Sequence, residues 1–296
     1  MSTPAPWILG LDLGGTHLKA LCLTFEGAEI ARATAPSGGD DWKHSVKQCV
    51  NQLVETHGTP ASIGVAAPGL PAKDERSIAH LPGRLPGLEG LDWQDFLGFD
   101  KPVPVLNDAH AALLGEVWLG AAKSLLDVIL LTLGTGVGGA ILANGKILRG
   151  HLGRAGHFGH ISIHADGSPD IVNTPGSLED AVGNHSLHTR SGGRFHSTAD
   201  LVAAVKAGDP QAAAVWQTTI CDLAVGIVSL INVLDPEAVV IGGGIALAGD
   251  DLFLPLAAEM ERVEWHPNGQ GVPTLPAALG EWAGAIGAAS YSIQNS

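Results

Sequence analysis

The chain has 296 residues, enough for two domains of roughly 150 each, and its 45% hydrophobic content supports a real core rather than a disordered polymer. With 16 Lys+Arg against 30 Asp+Glu the net charge is −14, and no basic patch interrupts it, which excludes nucleic acid and anionic membrane as main partners. Cys22, Cys49 and Cys221 show no CxxC spacing, so a disulfide framework is excluded and a reducing cytoplasm is the expected location. Residues 1–6 lack the charged and apolar regions of a signal peptide, and no apolar run is expected to approach the roughly 20 residues that span a bilayer.

Strands are predicted at residues 7–12, 17–25 and about 28–34, with the turn Asp12-Leu13-Gly14-Gly15-Thr16 between the first two. Val46, Val50, Leu53 and Val54 place an amphipathic helix over 41–56. A short strand at 62–67 ends at Pro68-Gly69, the Pro- and Gly-rich stretch 70–90 reads as irregular, and a strand at 102–106 runs into Asn107-Asp108 and a helix ending near Leu119. A second meander begins at Asp127 and carries Leu133-Gly134-Thr135-Gly136-Val137-Gly138-Gly139. The glycine-rich stretch 149–176 reads as a functional loop. Ser197-Thr198-Ala199-Asp200 resembles a capping box, and Asp209-Pro210 starts a helix that runs to Leu234. A strand over 237–241 leads into Gly242-Gly243-Gly244, and helices at about 250–263 and 281–293 complete the order. The pattern is duplicated, so two α/β domains facing one cleft are expected.

The two glycine turns suit phosphate. Without a Cβ the backbone turns tightly and its N–H groups approach an anion, and Thr16 and Thr135 add hydroxyl donors. Asp12, at a strand end beside Gly14-Gly15, suits Mg²⁺ held through water. Asp108 opens a helix, where a carboxylate serves equally as an N-cap or as the base for a phosphoryl acceptor. Lys19 is in reach of a phosphate but is better read as an outward-facing strand lysine. The turns together point to phosphoryl transfer.

Seven segments in order resemble the ROK family (repressor, open reading frame, kinase): Asp12-Leu13-Gly14-Gly15-Thr16, Ala67-Pro68-Gly69, Asn107-Asp108-Ala109, residues 132–139, Gly159-His160, Gly176-Ser177-Leu178-Glu179 and Ile241-Gly242-Gly243-Gly244-Ile245. The resemblance spans nearly the whole chain. It implies the two-domain actin-like, ribonuclease-H-like α/β fold with a central cleft, divided as 1–110 plus 282–296 and 111–281. It implies an ATP- and Mg²⁺-dependent kinase acting on a hexose-like hydroxyl, O6, with Asp108 as general base. Gly69, Asn107, His160 and Glu179 would meet the sugar. Gly14, Gly15, Thr16, Thr135 and Gly136 would hold phosphates, and Gly243-Gly244 would leave room for adenosine. A homodimer or larger homo-oligomer is also implied.

The chain departs from that family in three places. The segment 165–177 has no cysteine where most members carry a zinc motif, and His160 alone cannot hold zinc. No zinc is therefore expected; His164, Asp166 and Asp170 read as solvated, and two prolines with local packing are expected to hold the loop. His157 stands where a sugar-binding Glu is usual, and Arg84 where an Asn is usual, although a loop arginine more often faces solvent. Both changes favour an acceptor other than glucose: another epimer, an N-acetyl or modified sugar, a cyclitol, or an anionic substrate. The other classes weighed are a catalytically silent sugar-binding protein, a repressor, for which no helix-turn-helix precedes Trp7, and a non-polyol phosphotransferase of the same superfamily.

Overall fold

Apolar strands ending in glycine turns build this chain twice over. The computed structural model describes residues 6–295 apart from 40, 82 and 84, and they form two compact units. Unit one takes the described residues up to 124, residues 149–154 and those from 278 onward; unit two takes 125–148 and 155–277.

In unit one, β1 (Ile8–Leu13), β2 (His17–Leu23) and β3 (Glu29–Pro36) form an antiparallel meander. After α1 (Trp42–His57), β4 (Ser62–Ala67) returns parallel to β1. A small ribbon of β5 (Leu70–Pro71) and β6 (Ile78–His80) and the short α2 (Trp93–Leu97) follow, before β7 (Val105–Asn107) joins β4 in parallel and runs directly into α3 (Asp108–Trp118). The sheet order is β3-β2-β1-β4-β7. β1 and β4 read as almost continuous apolar runs because both of their faces are covered. Leu9, Leu11 and Leu13 join a core with Trp42, Val46 and Trp93, whereas Ile8 joins one with Ala285 and Ala289 near the C-terminus.

In unit two, β8 (Val128–Leu133), β9 (Val137–Ala143) and β10 (Lys146–Ile147) repeat the meander. The loop 155–177 holds only a 3₁₀ turn at Phe158–His160 and single bridges. Then come α4 (Leu178–Val182), α5 (Asn184–Arg190), α6 (Thr198–Lys206) and α7 (Pro210–Leu234). β11 (Ala238–Gly242) lies parallel to β8, and β12 (Thr274–Pro276), after α8 (Asp250–Val263), lies parallel to β11. The order β10-β9-β8-β11-β12 repeats that of unit one, strand for strand. The chain then re-enters unit one as α9 (Ala283–Gln294).

Two expectations change. By length and composition α7 is apolar enough to cross a membrane, contrary to the sequence reading; Trp216, Ile220, Leu223 and Ile227 spend that apolarity in the core of unit two. The unit boundary also differs from a division after residue 110, because α3 stays whole in unit one. Fully buried Glu116 on α3 accepts N–H groups from Ala121 (2.8 Å), Ala278 (3.0 Å) and Leu279 (2.9 Å), which pins the returning chain to α3. Gly287 lets α9 lie against α3, since a Cβ there would sit 1.6 Å from the Ala111 carbonyl oxygen. Residues 149–154 are fastened to unit one by Arg149, which meets Glu75 at 2.6 Å and the Tyr291 hydroxyl at 2.7 Å. The short α2, α4, α5 and β12 escaped the sequence reading because each is too brief to show a period.

Candidate functional site

Ligands of open α/β sheets gather at the carboxyl ends of parallel strands. In unit one that edge collects the predicted residues: β1 pairs Asp12 with Ala66, and β4 pairs Ala67 with Asn107. Asp12, Pro68-Gly69 and Asn107-Asp108 therefore leave three neighbouring strands at one end of the sheet.

Burial raises the Asp12 pKa to about 7, repulsion from Asp108 adds to the rise, and Lys19 offsets part of it. Lys19 is half-buried and engaged: its ammonium meets the Glu281 carboxylate at 3.2 Å and the Glu281 carbonyl at 3.0 Å. Gly284 of α9 makes room for Asp12, because a Cβ there would lie 2.7 Å from its carboxylate.

Asn107, not Asp108, caps α3. Its buried Oδ1 accepts from the N–H of Ala109 (2.9 Å) and His110 (3.4 Å), and its amide donates to the Gly69 carbonyl (3.1 Å). Its second amide hydrogen meets no partner among the described residues. Asp108 stands exposed at the first helical position, and its Oδ1 accepts the Ala109 N–H at 2.8 Å. Gly69 has φ +102°, and a Cβ there would come within 2.6 Å of the His80 carbonyl oxygen, so glycine is required.

The first glycine turn closes on itself. Gly14 N–H donates to the His17 carbonyl (3.0 Å), and Ser37 ties both the Gly14 carbonyl (2.6 Å) and the Thr16 carbonyl (2.9 Å). Gly15 and Thr16 are exposed, and a Cβ on Gly15 would meet nothing within 4 Å. Arg84 lies outside the described residues.

In unit two the matching edge carries the second turn and the Gly243-Gly244 turn, since Thr132 pairs with Gly242. Glu179, in the first turn of α4, accepts the Val137 N–H at 2.9 Å. Its carboxylate fills the space that a side chain at Gly136 (2.3 Å) or Gly159 (3.1 Å) would need. The second turn, Glu179 and Gly159-His160 are thus gathered at one place. Gly243 has φ +89° and presses on Leu133, where a Cβ would lie 2.3 Å from its carbonyl oxygen; Gly134 and Gly244 face open space.

His185 was missed by the sequence reading. Its Nδ1 meets the Thr135 carbonyl (2.9 Å) and its Nε2 the Asp180 carboxylate (2.8 Å). Both partners accept, so both ring nitrogens must donate, which only the imidazolium can do. Burial lowers its pKa, but the Thr135 carbonyl and the Asp180 carboxylate outweigh burial and raise it. No motif marked this residue; only its distance from Thr135 does.

The loop 155–177 corrects another expectation. His157 opens the 3₁₀ turn, half-buried, and its carbonyl accepts the His160 N–H at 3.2 Å. Asp170, read as solvated, has a side chain only 1% exposed and meets His160 Nδ1 at 2.8 Å. His164 pairs with Asp222 (2.9 Å) rather than with Asp166 or Asp170. Among the described residues, no three His, Cys, Asp or Glu side chains are grouped to hold a metal ion.

Comparison with known proteins places this geometry in company. The ROK family profile matches residues 8–295. A glucokinase from Halalkalibacterium halodurans is 33% identical over 315 aligned residues, covering 95% of this chain and 93% of that one. The crystal structure of a ROK hexokinase from Thermus thermophilus has a TM-score of 0.85 at 28% identity, over 98% of both chains. That of a ROK family glucokinase from Streptomyces griseus, in complex with glucose and AMPPNP, has a TM-score of 0.78 at 26% identity, over 97% of this chain and 99% of that one. The fold is the two-domain actin-like ATPase fold.

Proposed function

The chain belongs to the ROK family, and from that premise we propose that it is an ATP-dependent sugar kinase transferring the γ-phosphoryl group to O6 of a hexose or hexose-like acceptor. The observation that carries the reading is the placing of Asp12 and Asp108 at one sheet edge, where Asp108 raises the cost of charging Asp12. Asp108 takes the proton of the acceptor hydroxyl as its oxygen bonds to the γ-phosphorus and the bridge to ADP breaks. Its exposed place at the start of α3 puts the carboxylate where an acceptor hydroxyl can reach it, with Oδ1 also meeting the Ala109 N–H at 2.8 Å.

Asp12 fits a divalent cation: a buried acid whose pKa is raised to about 7 gains most from a neighbouring positive charge. Mg²⁺, when bound, neutralises charge on the phosphate oxygens. Gly14, Gly15 and Thr16 in unit one, and Thr135 and Gly136 in unit two, offer backbone N–H groups and hydroxyls to phosphate. Gly244, open where a side chain would meet nothing, leaves space for adenosine. Gly69, Asn107, His160 and Glu179 serve the sugar.

The acceptor we favour is not restricted to glucose. His157, half-buried, is an imidazole where the family resemblance leads one to expect a carboxylate, a change from an anion that only accepts to a ring that carries both a donor and an acceptor, and this suits an N-acetyl or otherwise modified sugar or a cyclitol. The test is ADP release with ATP over hexoses, N-acetylhexosamines and cyclitols. Turnover with at least one acceptor is expected; no turnover above the acceptor-free rate would sink the kinase reading in favour of a silent sugar-binding protein.

A further inference from the structure

We propose that Asp170 is a positioning residue of the acceptor site: its buried carboxylate fixes the His160 imidazole with the proton on Nδ1, leaving Nε2 as the acceptor for a sugar hydroxyl. The proposal rests on the reading of His160 as a sugar contact.

A carboxylate as buried as Asp170 must be paired or hydrogen-bonded. Here both oxygens are occupied. One accepts the N–H groups of Val172 and Thr174 (2.9 Å each), and the other meets His160 Nδ1 at 2.8 Å. The Ser177 side chain, the N-cap of α4, adds a further hydrogen bond. Burial alone would raise the pKa of Asp170, but these donors overcome it and hold the group at about 2. Asp170 is then an anion that only accepts, so the proton shared with the imidazole belongs to His160 Nδ1.

The opposite ring nitrogen, Nε2, meets no group among the described residues, and the His160 side chain is 27% exposed. One edge of the ring is locked and the other is presented. The surrounding loop is tied to the same acid: the Asp170 N–H donates to the Thr174 carbonyl (2.9 Å), and the Asn173 N–H to the Asp170 carbonyl (3.0 Å). Asp170 thus stands at the centre of a segment without a single thiol, and does with oxygen acceptors what a metal ion would do with sulfur ligands. An imidazole oriented by a carboxylate on its far nitrogen is held in one tautomer and one plane, which is the arrangement a directional hydroxyl contact requires.

Asp170→Asn tests the proposal without removing the loop's anchor. The amide oxygen can still accept from Val172 and Thr174, but the amide nitrogen facing His160 forces Nδ1 to accept and moves the neutral ring's proton to Nε2. Nitrogen-15 NMR of histidine-labelled protein, with His160 assigned through His160→Gln, should show Nδ1–H in the parent and Nε2–H in Asp170→Asn. The sugar KM should rise about tenfold, the equivalent of one lost hydrogen bond, while the KM for ATP and the thermal midpoint stay near parental. Asp170→Ala should instead lower the midpoint and speed amide exchange over 160–178. A parental ring protonated on Nε2 would overturn the proposal, as would an unchanged sugar KM in Asp170→Asn. So would sugar KM, ATP KM and midpoint all worsening together in that variant, the mark of a merely structural residue. Failure of the kinase reading is seen separately, as absent turnover in the parent, because the tautomer is read in the resting protein.

Discussion

The two units share a strand order and a glycine turn, yet they arm the same sheet edge differently. Unit one places carboxylates there, Asp12 and Asp108, and closes its glycine turn with its own backbone and Ser37. Unit two places glycines and imidazoles there. The Glu179 carboxylate is bound to the turn through Val137, and α5 grips Thr135 through His185. A duplicated scaffold therefore fixes where ligands meet the sheet, and the residues just beyond each strand decide the chemistry. One turn supports itself; the other depends on helices some forty to fifty positions away.

The sharpest break in this comparison is chemical. Asp108→Asn should lower kcat by about 10²–10⁴-fold, the usual worth of a general base, with sugar affinity by calorimetry nearly unchanged. A comparable kcat loss in His185→Gln would erase the division of labour between the units.

Next in size is the stability of unit one. Glu116→Ala removes a fully buried carboxylate that accepts from the Ala121, Ala278 and Leu279 N–H groups, and hydrogen bonds to a charged group are worth roughly 1.5–3 kcal/mol each. Urea unfolding should lose at least about 3 kcal/mol, with amide protection falling in unit one first. Loss confined to unit two would contradict the pinning of residues 278–279 to α3.

The turns themselves give a smaller contrast. Gly136→Ala drives a methyl into Glu179 and should cost about 1–3 kcal/mol as an overpacked site, whereas Gly15→Ala has open space and should stay within about 0.5 kcal/mol while raising the KM for ATP. Equal effects on melting would show that the second turn is no more clamped than the first.

The smallest effect is a pH dependence. The folded pKa of His185 is raised above its ordinary 6.5, so its contribution is complete below the unfolded value and fades as pH rises through the folded one. The stability difference between the parent and His185→Gln should therefore shrink as the solution is made alkaline. A difference that grows with pH would reverse the assignment.

Local signals made much of this legible in the sequence. The glycine turns interrupt apolar runs, Asp12 stands at the end of one strand and Asp108 just beyond another, and the family resemblance rather than period gave the two acids their roles. Asp209 and Pro210 marked the start of α7 by ordinary capping chemistry. What stayed hidden depends on partners remote in the chain. Glu116 meets residues 278–279, Glu179 meets Val137, and a lone acid in a polar loop such as Asp170 looks solvated until its burial is seen. Asp108 was a credible cap in the sequence, and only backbone geometry gives that place to Asn107.

The loop 155–177 has a consequence for the surroundings in which it can work. It is held by carboxylate, imidazole and backbone amides, and the chain's sulfur lies elsewhere. Cys22, its thiol pushed up to about 12 by burial, and Cys49, raised by the same cause, sit in unit one without forming a reactive thiolate. Peroxide and other sulfur-directed oxidants therefore find no thiol or thioether in the loop to attack. The bonds that order it are made by oxygen and nitrogen atoms, and no thiol takes part.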